Sequence, residues 1–386
     1  MILRNVNAVL PGEIRPADIR IERGRIAGIA DHLPANGEPV RDCNGATLMP
    51  GFIDTHTHGG LARAFFHEDA DFDAIALAYA RRGTKSLMPT FSVGPSDVIS
   101  GGIRRAVEFA GKSHDGAKFI GIHAEGPFLN PARHGGMMAD YMRPADVSEY
   151  HRLFELCGGL LRIMTIAPEL SGALTVIEVA VTDGICLSAG HTDASYEEML
   201  CAIDAGLSRM THTFNAARPM NHREPGVLTA ALTDPRVNCE VICDFGHLHP
   251  AAVKLIHRLK GCGGMTAVSD YSDRFGFAAR GEGTHTADGR RYTVRNGVAW
   301  SESGQVLSNG NDLLTGVQNL CAVGVPLPEI AVMASENPAR AAGCFDVTGS
   351  IAVGKAADLV LLNEKFAPIA VFVDGREITT GTEAER

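Results

Sequence analysis

The sequence holds a single tryptophan, only 6% aromatic residues and no surplus of positive charge: 35 Lys+Arg stand against 45 Asp+Glu, a formal charge of −10. Nucleic acid and anionic membrane surfaces ordinarily demand a basic footprint, and stacked bases demand rings, so both partners are set aside. No window reaches 18 uninterrupted apolar residues, and residues 1–6 lack the charged-then-apolar order of a signal peptide. The nine cysteines are odd in number and scattered, with no CxxC pair. That pattern reads as reduced thiols in a cytoplasmic chain. A GxxxxGK[ST] loop is missing, which argues against nucleotide hydrolysis, and a GxSxG elbow is missing, which argues against a serine hydrolase. No GxGxxG follows a strand, so a dinucleotide fold is not expected.

What is present is length, core and histidine. With 386 residues and 45% hydrophobics, the chain suits one large barrel plus a smaller module. Residues 1–50 alternate short β-type runs (2–9, 18–21, 25–30) with turns at Pro11-Gly12, Arg23-Gly24 and Asn36-Gly37. The same texture returns at 349–379, with strands at 357–362 and 369–373 and a turn at Asp374-Gly375. A small β-sandwich module assembled from both ends, residues 1–50 and 345–386, is therefore expected. Between them, residues 51–344 carry the alternation of a (β/α)8 barrel. Eight apolar runs of strand length fall at 48–54, 84–90, 119–124, 161–167, 185–189, 209–213, 240–244 and 265–269. The stretches between them mostly read as amphipathic helices. In 195–205, Met199, Leu200 and Ile203 share a face and Gly206 stops the helix.

Barrels carry their chemistry where strands end. The first run leads into Asp54-Thr55-His56-Thr57-His58, and an HxH pair in extended backbone points both imidazoles to one side. The third ends in His123-Ala124-Glu125-Gly126-Pro127-Phe128, the fifth in Gly190-His191, the sixth in Thr211-His212 and the eighth in Ser269-Asp270. Singly these are ordinary strand ends; jointly they place four imidazoles and two carboxylates at one end of a barrel. Such a mixture holds a divalent ion with a position left for water, whose pKa then falls towards ~7. Asp270 is suited to accept the water proton and return it to a leaving amine. Glu125 bridges two ions if both sets are filled, and is a plain ligand if one is. Of His247-Leu248-His249, only His247 is expected to face substrate, because Pro250 starts the next helix.

These motifs, in this order, resemble the amidohydrolase superfamily and, more narrowly, its N-acetylglucosamine-6-phosphate deacetylases. The match runs from Pro50-Gly51-Phe52-Ile53-Asp54 through Glu125-Gly126-Pro127-Phe128, Thr165-Ile166-Ala167-Pro168-Glu169, Asn215-Ala216 and Arg223-Glu224-Pro225-Gly226. Asn337-Pro338-Ala339-Arg340-Ala341 and Gly354-Lys355-Ala356-Ala357-Asp358-Leu359 close it. The resemblance implies that Glu125, His191 and His212 are metal ligands, with His56 and His58 giving capacity for a second ion, and that Asp270 is the catalytic acid and base. It places Asn215, Ala216, Arg223 and His247 on the sugar phosphate and hydroxyls. It implies a homodimer in which Arg223 reaches the neighbouring subunit's site. Zn is the first choice of ion, one or two per subunit, with Fe, Mn, Co and Ni as alternatives.

The specificity segments depart from the family. Its usual Lys-Gly-Ala-His segment reads Arg133-His134-Gly135-Gly136-Met137, so Met137 stands where a substrate-contacting histidine belongs. Methionine has no hydrogen to donate to a carbonyl oxygen. Either His134 or another group substitutes, the metal alone polarises the carbonyl, or the substrate differs. Ser269-Asp270-Tyr271 and the loop Leu307-Ser308-Asn309-Gly310 differ from the family as well. The expected activity is deacetylation of an amino-sugar phosphate. A different N-acyl amino sugar or amide, and a catalytically silent binding protein, are the alternatives.

Overall fold

The computed structural model describes residues 1–273, 276, 281–287 and 290–378; the end of the expected C-terminal module, 379–386, lies outside them. Eight strands form the central ring: β1 (Phe52–Thr57), β2 (Thr84–Phe91), β3 (Ile122–Glu125), β4 (Leu161–Ile166), β5 (Cys186–Ala189), β6 (Arg209–Met210), β7 (Asn238–Ile242) and β8 (Met265–Val268). Each pairs in parallel with the next, from β1 against β2 round to β7 against β8. The ring closes beside β8, where Asp270 N–H donates to His56 O at 2.9 Å and His58 N–H to Tyr271 O at 2.8 Å. A helix follows each strand, which makes this a (β/α)8 barrel. The helix Tyr196–Asp204 shows how the chain specifies them. Ser195 and Glu198 form a capping box at its start, Met199, Ala202 and Ile203 are buried, and Gly206 turns away at φ 109°.

The second part is an eight-stranded sheet built from strands within residues 2–50 and 359–378. Thr47–Pro50 lies antiparallel to Leu359–Leu362, so the two chain ends meet in its middle. Side chains alternate by strand period: Leu48, Leu359, Leu361, Ala370 and Phe372 enter the module's own core. Met49, Val360, Leu362, Val371 and Val373 join the barrel's core instead. The contact between the two is pinned by a buried ion pair. Lys85 of β2 meets Asp358 at 3.2 Å, and Thr348 donates to the same carboxylate at 2.8 Å.

Three sequence expectations need correction. The run 48–54 is two strands rather than one, Thr47–Pro50 in the module and Phe52–Thr57 in the barrel. Gly51 is the pivot, and a Cβ there would meet Lys85 Cγ at 2.4 Å. The run 119–124 also divides, because Lys118–Phe119 ladders onto β2 before β3 begins. In 209–213 only Arg209–Met210 is strand, since His212 turns to φ 27°.

One element was not anticipated. Between β8 and the helix Leu313–Ala322 stands a four-stranded antiparallel sheet: Gly283–Ala287, Arg290–Arg295, Val298–Ser301 and Val306–Asn309. It covers loops at the C-terminal end of the barrel. A Cβ on Gly246, after β7, would strike Val298, and one on Gly136, after β3, would lie 3.2 Å from Val306 O.

Candidate active site

Glu125, at the end of β3 and 1% exposed, is the centre of the cluster. Its Oε1 lies 3.2 Å from His191 Nε2 and 3.1 Å from His212 Nε2, and those two nitrogens are 3.2 Å apart. On the other side, His56 Nε2 is 3.4 Å from Oε1 and His58 Nε2 is 3.4 Å from Oε2. Asp270 Oδ1 stands 3.0 Å from His58 Nε2 and 3.6 Å from His56 Nε2. All six side chains expected at the barrel mouth thus converge on one point.

Hydrogen-bond logic shows what the cluster suits. His191 Nδ1 faces the Arg133 carbonyl at 2.9 Å, and a carbonyl only accepts, so Nδ1 carries the hydrogen. His56 Nδ1 faces Glu240 Oε2 at 3.1 Å in the same way. In the neutral imidazoles both Nε2 atoms therefore present lone pairs towards the Glu125 carboxylate. His56 Nε2 and Glu125 Oε2 are buried and have no hydrogen-bond partner among the described residues. Lone pairs gathered around a buried carboxylate repel unless a cation lies among them, so the donor set fits a divalent metal. Three three-residue groups among the described residues have ligand atoms close enough for that purpose, and two of them share Glu125: His56–His58–Glu125 and Glu125–His191–His212.

Without a cation among them, the same carboxylates draw a proton onto His56 instead. Burial disfavours charge on His56, but the Glu125, Asp270 and Glu240 carboxylates outweigh it and push its pKa well above the usual value. Burial raises the Asp270 carboxyl, and His56 and His58 more than reverse this, holding it at about 2. Asp270 is thus an ionised carboxylate at neutral pH.

Other expected residues occupy distinct places. Asn215 Nδ2 donates to His212 O at 3.2 Å, and Ala216 O accepts from Thr192 N–H at 3.1 Å. A Cβ on Gly135 would lie 3.4 Å from His191 Cε1 and 3.5 Å from Ala216 Cβ, so the segment leading to Gly136 and Met137 rests on the site. Leu307 packs against Tyr292, Val294 and Ala299 in the added sheet, beside Gly136. His134 Nδ1 is engaged by Met137 O at 3.1 Å. His247 Nδ1 bonds Asp244 Oδ2 at 2.7 Å, and that carboxylate outweighs burial to raise the imidazole's pKa. His249 instead caps the helix Pro250–Lys260, accepting from Ala251 N–H. Arg223 stands apart on an exposed loop, where its backbone N–H donates to Asn221 Oδ1 at 2.9 Å.

Several participants were missed by sequence reading. Glu240 of β7 is fully buried, and Arg209 holds its Oε1 at 2.7 Å. An acid flanked by the buried Cys239, Val241 and Ile242 of its strand was the available signal. Asp54 ties the ring's closure, accepting from Ser269 Oγ at 2.5 Å, and burial lifts its pKa to about 7. His123 is another: Nδ1 faces Thr55 O at 3.1 Å, and Nε2 faces Thr165 Oγ1 at 2.8 Å.

A parallel barrel with imidazoles and carboxylates gathered at the C-terminal ends of its strands defines a barrel enzyme of hydrolytic type. More narrowly, the chain belongs to the amidohydrolase family, whose model matches residues 47–378, and it is a hydrolase of carbon–nitrogen amide bonds. It is similar to the N-acetylglucosamine-6-phosphate deacetylase of Bacillus subtilis (strain 168), 31% identical over 396 residues covering 100% of this chain and 99% of that protein. It is also similar to the N-acetylgalactosamine-6-phosphate deacetylase of Escherichia coli O157:H7, at 30% identity with 93% of each chain covered. Among solved structures, a mutant N-acetyl-D-glucosamine-6-phosphate deacetylase from Mycobacterium smegmatis, in complex with N-acetyl-D-glucosamine-6-phosphate, superposes with a TM-score of 0.87. That pair is 31% identical, with 98% of this chain and 99% of that one covered.

Proposed function

We propose that this protein removes the acetyl group from an N-acetylated amino-sugar phosphate, N-acetylglucosamine 6-phosphate or a close relative, releasing acetate and the free amine. The observation that carries this reading is the convergence of His56, His58, His191 and His212 on the buried Glu125 carboxylate, with Asp270 against His58. The substrate class rests on the similar deacetylases, whose names specify hexosamine 6-phosphates.

In this reading Glu125, His191 and His212 hold one divalent ion, and His56 and His58 with Glu125 give capacity for a second. Nitrogen and carboxylate donors suit Zn, with Fe, Mn, Co and Ni as alternatives. When bound, such an ion supplies Lewis-acid polarisation and acidifies a water. Asp270, ionised and beside both imidazoles of the pair, takes a proton from the attacking water and delivers it to the departing amine nitrogen. Asn215, Ala216 and His247 hold the sugar and its phosphate. Arg223, on its exposed loop, reaches a phosphate in the neighbouring subunit of a homodimer. Nine free cysteines fit a reducing, cytoplasmic setting, and no helix among the described residues is long and apolar enough to cross a membrane.

A second substrate, another N-acyl amino sugar or amide, is favoured by one observation: Met137 has no hydrogen to give the acyl oxygen, and His134 Nδ1 is already engaged. Acetate release from a panel of N-acetylhexosamine 6-phosphates and their unphosphorylated forms separates the two. Turnover should depend on the phosphate. Equal rates without it would overturn the roles given to Arg223 and Asn215.

A further inference from the structure

Glu240 belongs to neither ligand set, yet it touches both. Its Oε2 accepts from His56 Nδ1 at 3.1 Å and from the His212 backbone N–H at 3.3 Å. Its Oε1 accepts from Arg209 at 2.7 Å. Both partners in that ion pair are almost fully buried, at 3% and 0% side-chain exposure. One carboxylate on β7 is therefore clamped by β6 and reaches a proposed ligand on β1 and the backbone of another just after β6.

His56, His123 and Glu240 also lie close enough to be considered a third ligand group. The hydrogen bonds assign them differently. Thr55 O can only accept, so His123 Nδ1 donates and its Nε2 lone pair is spent on the Thr165 hydroxyl. Thr165 in turn is hydrogen-bonded to Thr211, and Thr211 to Ser188. His123 is thus committed to a chain of hydroxyls. His56 has Nδ1 turned to Glu240 and only Nε2 turned to the site. The group is bracing, with no free lone-pair set of its own.

We infer that Glu240, held by Arg209, is a positioning residue that fixes the tautomer and aim of His56 and the backbone of His212, so that a single carboxylate couples the two halves of the metal centre. This rests on the metal-centre reading above. A carboxylate on the far nitrogen of a ligating imidazole orients the ring and raises its basicity, and losing it ordinarily costs about 10–100-fold in metal affinity. The two halves should respond unequally. His56 meets Glu240 through its own ring, whereas Glu125, His191 and His212 meet it only through one backbone N–H.

The test is competition between the full-length protein and a chromophoric chelator for Zn2+, with the visible spectrum of Co2+ as a second readout. Glu240→Gln keeps the volume and an acceptor oxygen. It should weaken Zn2+ binding about 10–100-fold, lose the more weakly held ion first and alter the Co2+ spectrum. Glu240→Asp, which keeps the charge, should recover part of the affinity. Arg209→Lys keeps the charge opposite Glu240 without the planar fork, and should give a smaller loss in the same direction. It also serves if the Gln variant does not fold. Melting in excess chelator reads the fold apart from the metal. Unchanged affinity and spectrum in folded Glu240→Gln, or in Arg209→Lys if that is the variant measured, overturns the inference while leaving the deacetylase reading intact. Failure of the parent protein to bind any divalent ion overturns both.

Discussion

His191 at φ 50°, His212 at 27° and Asp270 at 50° all hold left-handed backbone, as do Phe214 and Ala216 beside them. For residues other than glycine this costs about 1–3 kcal/mol each and persists only where surrounding bonds enforce it. Here the enforcing bonds include His191 Nδ1 to Arg133 O and Asp270 N–H to His56 O. At this scale two outcomes are expected. Asp270→Asn should lower kcat by about 10²–10⁴-fold, with metal content retained, when acetate release and elemental analysis are run on one preparation. Glu125→Gln should lose the metal itself, because Glu125 faces both sets of imidazoles. The clustered histidines and Glu125 were legible in the sequence because each ends or follows an apolar run, and strand ends are where a barrel exposes chemistry. Glu240 and Asp54 were not singled out. They act inside the wall, and a lone acid in a strand carries no spacing pattern to announce what it touches.

Among the elements, the added sheet is the clearest case of a missed signal. Arg295 pairs with Val298 across Asn296-Gly297, and both turn residues have positive φ, 52° and 71°. Asn-Gly between two alternating runs is a strong short-range mark of a hairpin, and it lies beyond the eighth of the apolar runs that define the barrel. Gly297→Val should disturb this sheet, since a Cβ there would meet Asn311 Oδ1 at 2.5 Å. Because Leu307 and Gly136 meet on it, the expected result is a raised KM with a smaller change in kcat. The Lys85–Asp358 pair makes a separate prediction. Removing one partner of a buried pair strands the other, so Asp358→Asn should cost about 3–5 kcal/mol in denaturant unfolding. Burial raises the Asp358 carboxyl, and Lys85 and Lys118 overcome it, leaving the pKa far below the ordinary value. Its stabilisation is thus present above the unfolded pKa of about 3.9 and fades as acid approaches the lower folded value. The Asn variant should lack that part of the parent's acid sensitivity.

For the molecule as a whole, the metal should be part of its stability. Any ion that binds only the folded chain adds RT ln(1 + [L]/Kd), about 4 kcal/mol at a thousandfold excess over Kd. Chelation should therefore lower Tm, and restoring Zn2+ should raise it again; a Tm indifferent to both would remove the metal from the account. The barrel could be counted from its runs because a parallel strand buried on both faces is apolar almost throughout. What the runs did not reveal was where one sheet hands over to another, as at Gly51, because apolar residues continue through the pivot.

That handover sets an order for synthesis. Thr47–Pro50 awaits Leu359–Leu362, and the whole barrel is made between them. Domains close from the N-terminus as the ribosome proceeds, and distant pairings are slow to form. While the barrel emerges, the first strands have one edge without its final neighbour. A nascent chain stalled before residue 359 would carry that open edge, a template for aggregation, so a stretch translated late is also the seal on one translated early.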